Sequence, residues 1–411
     1  MKFPFLVVFL VTVRMLNAQV NGPEINSNSN SNSNSSNISP SIIELNETEA
    51  PAIQEDMELQ PHIIQENKNK ELKKQEKVRL DNTIANDKEM LEYQGPDADI
   101  TDLSIKMDEL LHDIKFSNTR KSPTYEQALK MENIVNQYAN FNNQSFEFNY
   151  FNYISGNYDV DKVDFLRKAE AIKPQNTDVQ IQLAAYYFIK DIPDSSALYL
   201  QKLVDVNRID STALIYAQDL LASVSQDGYL FTHGFDDSYA CAYLQKVENY
   251  RNDVTLLPFE FFQSSYFVNR FKSLDILNYE NQIIDNEYFK NVVINNKNKK
   301  IHISISFPKE YFYLFQENIY TKGLTFVLDN NENELIADNI NFYHTISKEL
   351  INNAISEKAK RYSLNYLPVL FYLKDYFEAN QDKSAIEEID KMINQIAFQS
   401  NKYNQINMLK R

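Results

Sequence analysis

Two neighbouring stretches of this chain echo each other at an offset of 34 residues. Phe165-Leu166-x-Lys168 matches Tyr199-Leu200-x-Lys202, Ile172 matches Val206, and Tyr187 matches Leu221. The segment AIKPQNTDVQIQLAAYYFIKDIPDSSALYLQKLV reads as helix, turn, helix. Pro174 lies between helices, Pro193 starts the next one, and Ala184 and Ala185 are small enough for close packing. Each such pair exposes an apolar face that only a neighbouring pair can cover. The echo therefore predicts stacked helices over residues 121–224.

The period and layout resemble tetratricopeptide (TPR) repeats, with the usual Trp and Gly positions unfilled. After Leu221 the pattern changes. Gly228-Tyr-Leu-Phe-Thr-His233 is a short apolar strand ending at Gly234, and SYACAYLQKVENY supplies a helix. Val254 to Phe262, VTLLPFEFF, is apolar almost throughout, as a strand covered on both faces would be. Strand, crossover helix and strand make a βαβ unit with parallel strands. Further strands are predicted at Ile301–Phe307 and Leu324–Asp329, separated by a helix over Lys309–Tyr320, and Ser347–Ala397 returns to helices. The predicted fold class is mainly α: TPR-like helical repeats, a small α/β module over 225–345, and a C-terminal helical hairpin over 346–411.

The N-terminal part is of another kind. Met1–Ala18, MKFPFLVVFLVTVRMLNA, has the charged, apolar, small order of a secretory signal, with cleavage expected before Gln19. Its apolar run falls short of the ~20 residues a spanning helix needs, and Arg14 interrupts it. Residues 19–65 are an Asn/Ser-rich, acidic stretch too poor in apolar groups to offset ordering entropy, and read as a disordered linker. Residues 66–120 read as a charged helical segment. In it Lys68–Arg79 alternates charge signs like a solvated helix, and Leu103–Ile114 is the first stretch with apolar residues at helical spacing.

Composition narrows the chemistry. The 41 basic and 57 acidic residues leave a net charge of −16, which argues against a phosphate-tracking nucleic-acid binder. Cys241 is the single cysteine, excluding an intramolecular disulfide framework and a cysteine-rich zinc site. The five histidines fall at no metal-ligand spacing, and the six glycines form no phosphate-cradling loop or nucleophile elbow. No metal or cofactor is expected. One thiol in an exported chain suits a bacterial envelope protein stabilised by packing. In a eukaryote Asn34, Asn37, Asn46 and Asn143 would be glycosylation acceptors instead.

The most individual segment is Tyr229–Lys272. Thr232-His233-Gly234 with Asp237, then Tyr243-Leu-Gln245-Lys-Val247-Glu248, then Arg251-Asn-Asp253-Val254 follow one another there. Phe307-Pro308-Lys309 and Asn318-Ile-Tyr320-Thr-Lys-Gly323-Leu324 come later. In this order they resemble the soluble region that follows the membrane domain in a bacterial family related to protein O-mannosyltransferases, where repeat-like helices also flank the soluble part. The resemblance runs from about Ser211 to Leu328. It implies an α/β module and an envelope location. The multi-spanning domain that would carry the sugar chemistry has no counterpart here, His233 replaces the family's Asn, and Phe235 stands where an acidic residue is common.

The turn His233–Tyr239 is the best site candidate, since ligands in α/β sheets gather at the carboxyl ends of strands. His233, Asp236, Asp237 and Ser238 are the candidate ligand-binding residues, and an enzyme would use His233 and Asp237 as its acid–base pair. The alternative is that Asp236 or Asp237 caps a helix and His233 is an ordinary turn residue. Asp329-Asn-Asn331-Glu-Asn333-Glu opens like a calcium loop but has Glu334 and Ile340 where Gly and Glu belong. Cys241 is expected to be buried and inert. The combined expectation is an exported, non-catalytic scaffold or binding subunit of a cell-envelope assembly, in a setting of glycan or protein handling. Its partners would be envelope proteins, a membrane protein among them, without nucleic acid and without an integral membrane segment in the mature chain. The alternative is a glycan-acting hydrolase or transferase using the His233–Asp237 turn.

Overall fold

The computed structural model describes residues 100–276, 283–315, 319–328 and 331–409. The signal, the linker, most of the charged segment and Asp329 lie outside the described residues. The described chain from Leu103 onward is one compact unit.

Seven helices open it: α1 (Ile100–Phe116), α2 (Tyr125–Asn142), α3 (Phe146–Ile154), α4 (Val163–Ile172), α5 (Thr177–Ile189), α6 (Pro193–Asp205) and α7 (Ser211–Ala222). Their starts are written in the sequence. Thr124 and Gln127 form a reciprocal capping box on α2, and Pro193 opens α6. The 34-residue echo shows first in the caps: Asn176 accepts from Val179 N–H and Asp210 from Ala213 N–H. It continues in the core, where Leu166 and Leu200, Ala169 and Leu203, and Leu183 and Ala217 are all buried. Ile172 and Val206, by contrast, are 46% and 52% exposed at the helix ends. With few glycines available, left-handed turn positions fall to Asn and Asp: Asn157, Asp191, Asn207, Asp227 and Asn249 all have φ between 50° and 57°.

The α/β module then runs β1 (Tyr229–Thr232), α8 (Phe235–Lys246), β2 (Thr255–Pro258), α9 (Ser265–Arg270), α10 (Asn286–Asn295), β3 (Ile301–Ser304), α11 (Lys309–Phe312), β4 (Tyr320–Lys322), β5 (Thr325–Val327) and α12 (Glu332–Thr345). The strand order is β2-β1-β3-β5-β4. β1 is parallel to both β2 and β3, as the βαβ reading requires, but β3–β5 and β5–β4 are antiparallel, so the sheet is mixed. The helix expected over Lys309–Tyr320 is one turn after Pro308, followed by a 3-10 turn to Phe315. β4 replaces its end and forms a hairpin with β5. Gly323 makes that hairpin possible: its φ is 56°, and a Cβ there would lie 2.7 Å from Ser223 Cβ. Asn339, fully buried, pins the turn by accepting from Gly323 N–H at 2.7 Å and donating to the Thr321 carbonyl at 2.8 Å.

Helices α13 (Glu349–Asn352), α14 (Glu357–Ser363), α15 (Leu367–Ala379), α16 (Lys383–Gln399) and α17 (Tyr403–Leu409) complete the chain. They return to α7. Tyr362 stacks on Tyr216 at 4.4 Å, Asn365 donates to the Tyr216 hydroxyl at 2.9 Å, and Tyr366 donates to Asp219 at 2.6 Å. The fold is mainly α with a small α/β module at its centre.

Candidate functional site

β1 ends at Thr232 and its parallel neighbour β3 ends at Ser304, so their carboxyl ends lie side by side. From β1 the chain steps outward to β2, whereas β3 leads to the hairpin on the other flank. The strand order therefore reverses between β1 and β3, where open α/β sheets place their ligands. Both the predicted turn and a set of distant residues converge there.

Asp237 is 3% exposed and does not cap α8. The N-cap is Gly234, at φ 82°, with no side-chain cap bond, which corrects the helix-cap reading. In the first turn of α8, the Asp237 carboxylate faces inward and accepts from the hydroxyls of Ser304, at 2.6 Å, and Ser306. Asp236 lies 2.9 Å from the Lys358 ammonium, which also holds Asp210 at 3.1 Å, and it accepts from the Tyr362 hydroxyl. Ser238 is buried and shares a hydrogen bond of 2.9 Å with Thr232. His233 is half-buried against the rings of Phe307 (5.0 Å) and Tyr311 (6.0 Å). The four predicted residues thus share one neighbourhood, and each is engaged by partners within the chain.

Glu260 was missed by sequence reasoning. It follows β2, its Oε2 is buried without a hydrogen-bond partner, and Ser238 donates to the same carboxyl group. Burial pushes this carboxyl up to about 7, against opposing pulls from its own backbone and Lys121. A folded-state value above the unfolded one means that the native protein keeps a proton the unfolded chain has lost. Stability from this group is whole below pH ~4.5 and falls as pH rises toward 7. We therefore expect the melting temperature of Glu260→Gln, measured relative to wild type, to shift steadily in the variant's favour between pH 4.5 and pH 8. A difference that stayed constant with pH would show that Glu260 ionises normally.

Of the other residues missed here, Ser304 and Ser306 had a faint signal and Lys358 had none. Two serines at i and i+2 in IHISISF put two hydroxyls on one side of an otherwise apolar segment, and Glu260 is the lone charge in VTLLPFEFF. The motifs that carried the resemblance prove to be structural. Gln245 donates to the carbonyls of Arg251 and Val254 at 2.9 and 2.8 Å. Arg251 grips Asp253 through two bonds of 2.8 Å and closes the end of α7 through the carbonyls of Leu221 and Val224. That grip holds the Asp253 carboxyl below the usual range.

Among the remaining candidates, Cys241 is fully buried, and burial with Asp237 nearby holds its thiol protonated. Asn331 opens α12, its amide donating to Glu334 at 3.2 Å. His302 is buried on β3. Ser225 N–H donates to its Nε2, which places the proton on Nδ1 toward Thr325, and burial pulls its pKa down to about 3. Among the described residues no group of His, Cys, Asp and Glu is arranged to hold a metal, and no helix is long and apolar enough to cross a membrane.

No curated protein and no solved structure matches the chain. A family model does match just under half of it: residues 213–409, running from α7 through the sheet to α17 and so including the whole of the site, are similar to TMEM260-associated domain 2.

Proposed function

We propose that this protein is an exported, non-catalytic scaffold or binding subunit of a cell-envelope assembly, in the soluble compartment outside the cytoplasmic membrane. The observation that carries this reading is how the acidic residues of the turn are used. Asp237 is bound by two serine hydroxyls under the sheet end, and Asp236 is tied to Lys358. A carboxylate held this way positions elements of the fold, whereas a general base must reach a substrate proton. The similarity of residues 213–409 to TMEM260-associated domain 2 is consistent with the kinship to the O-mannosyltransferase-related family. The resemblance to the O-mannosyltransferase-related family supports the finer setting of glycan or protein handling at the membrane. Helical pairs with exposed apolar residues such as Ile172, Leu198 and Val206 offer a surface for protein partners.

The test is His233→Ala. This residue sits at the strand end, and its loss removes the turn's imidazole. On the scaffold reading the variant keeps its melting temperature and complements a deletion strain. If His233→Ala folds normally yet fails to complement while still capturing partners, the glycan-acting enzyme replaces the scaffold.

A further inference from the structure

β2 is the edge strand of the sheet, and Thr255 N–H bonds to the Gly228 carbonyl at 2.8 Å. Alternation along the strand then turns the N–H and C=O of Leu256 away from β1. A groove of about 320 Å³ runs beside that edge. It is bounded by Lys246 and Asn249 from the end of α8, by Asn252, by Arg270 and Phe271 from the end of α9, and by Phe188. Its described lining holds two cations and three amides but no carboxylate, in a chain with 57 acidic residues. Arg270 is engaged by the carbonyls of Phe188 and Ile189 and by Asp191. Lys246 has no ion pair among the described residues, and its ammonium lies 5.8 Å from the Phe188 ring centroid.

We propose that this groove takes an acidic, extended segment of a partner polypeptide, which pairs with the main chain of Leu256 at the edge of β2 and sets a carboxylate against Lys246. Strand addition draws affinity from main-chain hydrogen bonds and specificity from pockets for alternate side chains. Val254 N–H is taken by the Arg251 carbonyl, its C=O by Gln245, and Pro258 has no N–H, so among the described residues of this edge the segment pairs with Leu256 through its two outward main-chain groups. Alternate side chains of the segment would face the apolar wall of Phe188 and Phe271, and the intervening ones the amides and Lys246. A positively lined groove on a strongly acidic protein also selects against basic segments by like-charge repulsion. The proposal deepens the binding-subunit reading and rests on it for its purpose, though not for its measurement.

The test is fluorescence anisotropy with the full chain and a labelled hexapeptide alternating Glu and Val. Three comparisons should each weaken binding by ~tenfold or more. They are the same peptide with Lys in place of Glu, the same peptide N-methylated at alternate residues, and the protein variant Lys246→Glu. Lys246→Gln serves as a second variant should charge reversal lower the melting temperature. Absence of binding, equal binding of the lysine or N-methylated peptide, or undiminished binding by the folded variants would overturn the proposal. Peptide binding that holds while His233→Ala fails to complement would sink the scaffold reading and leave the groove standing.

Discussion

Phe289→Ala should lower stability by about 4 kcal/mol, within the range for deleting a fully buried aromatic ring. Phe289 projects from α10 with no exposure to solvent, and five rings surround it. Phe307 stacks on it at 4.7 Å, while Phe259, Phe231, Tyr311 and Phe315 lie between 5.1 and 6.1 Å, edge-on. Phe231 belongs to β1, Phe259 follows β2 and Phe307 follows β3, so one ring ties together the carboxyl ends of three parallel strands. Truncation leaves a void with rigid aromatic walls that collapse poorly, which places the cost high in its range. Phe289→Leu fills most of the space and should cost about 1.5 kcal/mol. The chain has no Trp, so the measurement is denaturant unfolding followed by far-UV circular dichroism. A loss below about 1 kcal/mol for the alanine variant would mean that the rings do not pack as described.

The second large effect is at Asp237. Hydrogen bonds to a charged acceptor contribute about 1.5–3 kcal/mol each, and Asp237 accepts two from serine hydroxyls in a buried setting. Some of that gain is offset by the desolvation of the carboxylate, so Asp237→Ala should cost about 3 kcal/mol. A lost helix cap would cost about 1 kcal/mol, and Asn would then replace Asp without penalty. Here Asp237→Asn keeps the shape but loses the charge and faces the two hydroxyls with an amide N–H, and should cost about 1–2 kcal/mol. Ser304→Ala combined with Asp237→Ala should be far from additive, because both remove the same bond. Additive losses, or a neutral Asp237→Asn, would contradict the buried-acceptor geometry. Because Asp237 is structural in this way, its variants cannot separate scaffold from enzyme; that task falls to His233.

What could be read from the sequence was what local chemistry decides. The helix start at Pro193 and the close packing at Ala184 and Ala185 rest on residues within a few positions of one another, and the βαβ unit on a strand–helix–strand succession within some thirty residues. The strand at β5 was read, over Leu324–Asp329, but its hairpin partner β4 was not, because a three-residue strand carries too little periodicity to stand out from the helix signal before it. The hairpin's turn depends on Gly323 fitting against Ser223, a hundred residues earlier in the chain. The candidate site divides along the same line. The turn holding His233, Asp236, Asp237 and Ser238 was visible as a strand end, but the inward aim of Asp237 is set by Ser304 and Ser306, and that of Asp236 by Lys358. Those partners are brought near by the sheet register and by the return of the C-terminal helices to α7, neither of which leaves a local mark.

That return of the chain sets a schedule for synthesis. Asn365 reaches Tyr216 across 149 residues, Tyr366 reaches Asp219 across 147, and Lys358 reaches Asp210 across 148. At ~5–20 residues per second, α7 leaves the ribosome some 7–30 s before the helices that cover it. During that interval Tyr216 and its apolar neighbours have no native cover on that side. The N-terminal helices of the fold thus stay open on one face until the last helices are made.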